Sequence, residues 1–254
     1  MRRIFITGAS TGIGEALARH YAGPETEIGL FARRRDLLER LAAGLPGRCT
    51  VYAGDITDVE AIGAAARDFL SRFGTPDLVI ANAGISVGTR GEELQDVQKL
   101  RRVLDVNVAG LAASLAAFAP AMRAAGSGTL CGIASVAGFR GLPGAGAYST
   151  SKAAAITWLE ALRAELAGSG VSVVTICPGY IDTPMTQVNR YRMPFILPAN
   201  EAARRFARAI AAKRRLAVIP WQMALVSLVL RALPGWLYDR LTRRAPRKPR
   251  DVPL

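Results

Sequence analysis

Thr7-Gly8-Ala9-Ser10-Thr11-Gly12-Ile13-Gly14 decides how this chain is read, because it follows directly on the apolar run Arg3-Ile4-Phe5-Ile6. The glycines at 8, 12 and 14 let the backbone turn sharply and approach a bound group closely. A helix expected over residues 13–22 presents free N–H groups and its positive dipole end to that turn. Strand, glycine turn and helix, in that order at the head of a βαβ unit, point to the pyrophosphate of a dinucleotide.

The rest of the chain repeats this alternation. Apolar runs predict strands at 3–7, 28–32, 50–53, 78–82, 129–134, 171–177 and 216–220, with helices at 13–22, 35–43, 58–73, 93–124, 148–167 and 200–213. The strand runs are continuously apolar rather than alternating, which indicates a parallel sheet covered on both faces. Right-handed crossovers then make an α/β, doubly wound Rossmann fold with its site at the C-terminal strand ends. Residues 1–220 read as one domain, followed by an apolar and basic extension at 221–254.

Composition narrows the chemistry. The net charge of +13 over 254 residues is uneven: residues 1–189 carry 18 basic and 17 acidic side chains, and residues 190–254 carry 15 and 3. That excess suggests a surface or a partner and says little about fold. With His20 the sole histidine and Cys49, Cys131 and Cys177 lacking ligand spacing, no metal site is expected. The cysteines read as small core residues of a reducing compartment. No signal-peptide pattern precedes the first strand, so a cytoplasmic location is expected.

Residues after the strand ends carry the binding signals. Phe31-Ala32-Arg33-Arg34 places guanidinium groups where an NAD site usually has a carboxylate, so Arg33, with Arg34 as the alternative, favours NADP(H) over NAD(H). Asp55-Ile56 closes the third strand as a flank for the adenine, and Asn82-Ala83-Gly84 closes the fourth with small residues that leave room for the cofactor. Tyr148 and Lys152 stand four apart, on one helix face. A free phenol titrates at about 10, and a neighbouring ammonium is expected to lower it toward the working range. Ser135, thirteen residues upstream of Tyr148, can supply a second hydrogen bond to the same substrate oxygen.

In combination, T-G-x-x-x-G-I-G at 7–14, D-I at 55–56, N-A-G at 82–84, Asn107, Ser135, Y-x-x-x-K at 148–152 and P-G at 178–179 resemble the short-chain dehydrogenase/reductase family, over residues 3 to about 185. The resemblance implies a catalytic set of Ser135, Tyr148, Lys152 and Asn107, the last holding a water that links Lys152 to solvent. It implies cofactor contacts from Gly8, Ser10, Thr11, Gly12, Ile13 and Gly14, from Tyr148 and Lys152, and from Pro178, Gly179, Ile181 and Thr183. Thr11 departs from the basic residue that NADP(H)-preferring members often carry there, so the NADP(H) expectation rests on Arg33. A homodimer or homotetramer through helices 108–124 and 148–167 is also implied.

The family's substrate lid corresponds to about 184–200. Met185, Tyr191, Met193, Phe195, Ile196 and Leu197 there suggest a hydrophobic small-molecule substrate or, equally, packing against the body. In the extension, an apolar stretch at 221–238, too short to span a bilayer and broken at Pro234-Gly235, precedes Arg240, Arg243, Arg244, Arg247, Lys248 and Arg250. Two readings of it stand open, an interfacial anchor on anionic lipid or a cover for the pocket or a neighbouring subunit. No recognised nucleic-acid module is present, and none is expected to bind. The expected function is hydride transfer between NADP(H) and a carbonyl or secondary alcohol. The alternatives are a non-catalytic NADP(H)-binding regulator and a membrane-recruited scaffold.

Overall fold

A computed structural model describes residues 1–189, 191–243, 245 and 247–250. In chain order the elements are β1 (Arg2–Thr7), α1 (Gly12–Tyr21), β2 (Thr26–Ala32), α2 (Arg35–Ala43), β3 (Arg48–Ala53), α3 (Val59–Phe73), β4 (Leu78–Ala81), α4 (Asp96–Leu104), α5 (Gly110–Ala116), α6 (Ala119–Ala125), β5 (Thr129–Ile133), α7 (Gly146–Glu165) and β6 (Ser172–Pro178). A short pair β7 (Ile181–Asp182) and β8 (Leu197–Pro198) brackets α8 (Pro184–Gln187), and α9 (Ala199–Ala211), β9 (Leu216–Ile219), α10 (Trp221–Ala232) and α11 (Gly235–Thr242) complete the chain. Among the described residues the main sheet has seven parallel strands in the order β3-β2-β1-β4-β5-β6-β9.

The continuous apolar strands are explained by two cores, one on each face. Ile4 and Ile6 of β1 point into a core with α1, α2 and α9, whereas Phe5 between them points to the other, with α3, α5 and α7. Leu78 and Ile80 against Val79 in β4, and Cys131 against Leu130 in β5, divide in the same way. Successive side chains leave opposite faces of a strand, so a sheet covered on both sides needs every position apolar.

One expected element is corrected. The helix predicted over 93–124 begins at Asp96 and is interrupted by a π-helical turn, Asp105–Ala109, and by a second break before Ala119. The extra residue in the π turn is the one that contains Asn107, and turns of this kind occur as local bulges in otherwise regular helices. The extension forms two helices separated at Pro234, as its sequence predicts. Cys131 and Cys177 are buried and Cys49 half-buried, all as free thiols.

Candidate active site

The sheet order reverses between β1 and β4, and loops leaving the two strands in opposite directions open a cleft at their C-terminal ends. Thr7 and Asn82 hold that opening together. The Thr7 hydroxyl accepts the Asn82 and Ala83 N–H groups at 3.2 and 3.3 Å, and the Asn82 amide donates to the Thr7 and Gly8 carbonyls at 3.1 and 3.2 Å. Asn82 therefore fixes the glycine turn as well as bordering the cleft. Gly14 packs behind the turn rather than lining the cleft, and a Cβ there would fall 2.1 Å from the Gly8 carbonyl oxygen.

Gly8, Ser10, Thr11, Gly12 and Ile13 line one end of the cleft. Arg34, at the N-terminal end of α2, donates to the Ser10 and Thr11 hydroxyls at 3.1 Å each. The guanidinium thus spans from the end of β2 to the glycine turn. Arg33 beside it is exposed and also lines the cleft. Two cations and two hydroxyls at this point form a surface suited to a phosphate.

Asp55 and Ile56 line the flank, as do Ala83 and Gly84. Asp55 is committed internally: its carboxylate accepts the Thr57 N–H at 3.0 Å and hydroxyl at 2.8 Å and pairs with Arg102 at 3.0 Å. Burial works to raise its pKa, but these hydrogen bonds and Arg102 prevail and hold it below the usual value. Arg102 was not foreseen. It sits on a strongly charged helix surface, and sequence spacing offers no hint that it crosses to Asp55.

At the other end Ser135, Tyr148 and Lys152 converge with Pro178, Gly179, Ile181 and Thr183. The α7 helix begins at Gly146, so Tyr148 lies in its first turn, and Lys152 follows one turn later. The Lys152 ammonium stands 5.7 Å from the centre of the Tyr148 ring and donates to the Ile133 carbonyl at 2.9 Å. Ser135, 7% exposed, accepts the Ala137 N–H at 3.1 Å and donates to the Pro178 carbonyl at 3.4 Å.

The expected lowering of the tyrosine pKa is corrected. Burial pushes the Tyr148 phenol above its ordinary value, and the Ser135 hydroxyl works in the opposite direction. Burial also pulls Lys152 down, to about 8. Desolvation disfavours both charged forms here. The shift of each group is set first by its own burial, not by the other's charge.

Asn107 lies behind the cleft wall. It is fully buried and does not line the cleft. Its amide donates to the Ile85 carbonyl and to Ser151 Oγ, each at 2.9 Å, and its Oδ1 accepts the Ile85 N–H at 2.8 Å. Ser151 in turn donates to the Tyr148 carbonyl at 2.8 Å. The side chain thus ties the π turn to the loop after β4 and to the first turn of α7. Ser151 was also missed, although it lies inside the Tyr-Ser-Thr-Ser-Lys run.

The comparisons with known proteins come to the same place. The family model for short chain dehydrogenases matches residues 2–193. An oxidoreductase of Myxococcus xanthus is 36% identical over 96% of this chain and 97% of its own. An 11-beta-hydroxysteroid dehydrogenase 1A of Arabidopsis thaliana is 34% identical over 72% of this chain and 53% of its own. Among solved structures, an alcohol dehydrogenase from Thermococcus sibiricus complexed with 5-hydroxy-NADP superposes with a TM-score of 0.75 at 28% identity, covering 86% of this chain and 96% of that one. A 3-ketoacyl-(acyl-carrier-protein) reductase from Brucella melitensis complexed with NADH gives 0.78 at 25% identity, covering 85% and 94%. The chain belongs to the short-chain dehydrogenase/reductase family, and is an oxidoreductase that acts on CH–OH or C=O groups of small molecules with a nicotinamide cofactor.

Asn107→Ala leaves the Ile85 N–H and carbonyl without their partner. It is expected to lower the unfolding free energy by about 1–3 kcal/mol, read by urea denaturation, and to reduce activity by loosening the first turn of α7.

Proposed function

We propose that this protein transfers hydride between NADP(H) and the carbonyl or secondary alcohol of a substrate with a hydrophobic body, using Tyr148 as general acid and base. The observation that carries the reading is one cleft with Ser10, Thr11, Arg33 and Arg34 at one end and Ser135, Tyr148 and Lys152 at the other. The residues fit a nicotinamide dinucleotide: the tight glycine turn admits a pyrophosphate, and Arg33 and Arg34 stand where a 2′-phosphate needs donors. The cofactor, when bound, supplies or accepts the hydride.

The chain's own residues manage the proton. In reduction the Tyr148 hydroxyl protonates the forming alkoxide while the Ser135 hydroxyl donates to the same oxygen. In oxidation the Tyr148 phenolate removes the proton of the alcohol. Asn107 and Ser151 hold the first turn of α7, so the phenol keeps its direction. Met185 at 38%, Phe195 at 49% and Ile196 at 40% exposed give the lid segment an apolar surface suited to a hydrophobic substrate.

The same reading includes a place of work, on the cytoplasmic side of an anionic membrane. Trp221, Leu225, Leu228 and Val229 of α10 and Trp236 and Leu241 of α11 are each more than half exposed. Arg231 and Arg240 lie on the same helices. Apolar and tryptophan side chains beside cations suit the boundary between acyl chains and anionic headgroups, and a twelve-residue helix is too short to span.

Tyr148→Phe should lower kcat in NADPH oxidation with a ketone panel by about 10²–10⁴-fold while NADPH binding persists. The parent's alcohol oxidation should rise with pH toward the raised pKa of the Tyr148 phenol, where the phenolate forms. Unchanged turnover by the variant would remove Tyr148 from the chemistry. Retained NADPH binding with no turnover on any substrate would favour a regulator.

Replacing Arg33 and Arg34 together by alanine should weaken NADPH about 10–100-fold and leave NADH almost unaffected. Fluorescence titration with both nucleotides reads the difference, and equal losses would refute the NADP(H) preference.

Flotation with vesicles containing anionic lipid should carry the parent upward, and Trp221→Ser/Leu228→Ser/Trp236→Ser should stay behind. Loss of self-association in that variant, with no flotation of the parent, would instead mark an interface between copies.

A further inference from the structure

The end of the chain is part of the wall around Tyr148. Arg140, in the loop before α7, donates to the Leu230 and Leu233 carbonyls at the end of α10, the second at 2.8 Å, and lies 4.1 Å from the centre of the Tyr238 ring on α11. These contacts fix the helix pair and the strand of chain that leaves it. Residues 247–250 then return over the loop after β4 and the loop before α7. The Gly88 N–H donates to the Pro249 carbonyl at 2.9 Å. Arg250 pairs with Asp96 at 3.1 Å and lies 3.9 Å from Glu93, while Lys99 donates to the Arg250 carbonyl at 3.2 Å.

Two glycines leave room for this strap. A Cβ at Gly88 would come within 2.2 Å of the Lys248 carbonyl oxygen, and one at Gly144 within 2.7 Å of Arg247 Cβ. The strap is therefore seated in a groove shaped for it.

Seating the strap brings Lys248 beside Tyr148. Its ammonium lies 5.9 Å from the centre of the Tyr148 ring and donates to Ser86 Oγ at 2.8 Å. Ser86 follows Asn82-Ala83-Gly84-Ile85, so it belongs to the loop that borders the cleft. Among the described residues the partners of the ammonium are a neutral hydroxyl and a ring face, and no carboxylate lies within ion-pair distance. Two acids that meet the strap, Asp96 and Glu93, are engaged by Arg250 and by Lys99 or Arg90. Burial alone pulls Lys248 down to about 8.

We propose that Lys248, with Ser86, is a specificity-determining site for an anionic oxygen of the substrate, so that the substrate is an amphiphile with an apolar body and a carboxylate near the reacting carbon. A half-buried ammonium whose partners among the described residues are neutral is costly to keep charged, and an anionic ligand offsets that cost through a charge-assisted hydrogen bond. The apolar lid residues accommodate the body of the same molecule, and the 5.9 Å between ammonium and ring leaves the acid group and the reacting oxygen at neighbouring positions. The inference rests on the reading of Tyr148 as the reacting end of the cleft.

The test is a calorimetric titration that needs no turnover. The full-length protein with NADPH present is titrated with 3-hydroxyoctanoate and with its neutral methyl ester. The parent is expected to bind the carboxylate more tightly than the ester. Lys248→Gln should weaken the carboxylate about 10–100-fold with the ester unchanged, and Lys248→Arg should recover part of the loss. Equal binding of acid and ester by the parent, or equal weakening of both in Lys248→Gln, would overturn the proposal, the second because it marks a packing role for the strap. Binding of neither probe by a parent that takes up NADPH also overturns it. A parent that fails to take up NADPH overturns the cofactor reading instead, and Tyr148→Phe kinetics judge the reacting end separately.

Discussion

The hydrogen bonds between Thr7 and Asn82 are the constraint on which the site depends. A parallel sheet wound outward in both directions from its middle leaves a gap where its loops diverge, and here the gap lies between β1 and β4. Four hydrogen bonds across it set the glycine turn against the loop after β4. Everything that lines the cleft is placed relative to those two strand ends. On one side lie Arg33 and Arg34 at the end of β2, and on the other Ser135 after β5 and Pro178 and Gly179 after β6. Few side chains need to be rigid in themselves when the strand ends that carry them are buried on both faces.

A second theme is desolvation. Tyr148 and Lys152 stand at one end of the cleft with Lys248 beside the tyrosine ring, and burial drives all three toward their neutral forms. Such a cluster is poised to move a proton because neither the phenolate nor the ammonium is strongly favoured. The polar network around Asn107 and Ser151 supplies order without charge, and it spans three separate segments through two side chains.

Much of the fold was legible before any coordinates. Continuous apolar runs such as Ile4-Phe5-Ile6 and Leu78-Val79-Ile80 require two buried faces, and the positions of six helices between the strands follow from their periodicity within a few residues. The break inside 93–124 was not legible, because Asp105–Ala109 holds no Pro or Gly and its π turn is held by tertiary contacts to Ile85 and Ser151. The cleft residues after each strand were recognisable by type and order. Arg102 and Ser86 were not, since their partners lie 47 and 162 residues away and no local pattern marks such a pairing.

The sequence by itself determined the doubly wound sheet, the dinucleotide turn and the tyrosine–lysine face, because each depends on local periodicity, glycine geometry or helical spacing. Tertiary structure decided the electrostatics and the ownership of the site. Burial, which no spacing records, set the phenol above its ordinary value rather than below it. The extension that read equally as anchor or cover divides into two parts: exposed apolar helices α10 and α11, and a strap that carries Lys248 to Tyr148. Only the packing of the strap against the loops carrying Gly88 and Gly144 could bring Lys248 beside Tyr148.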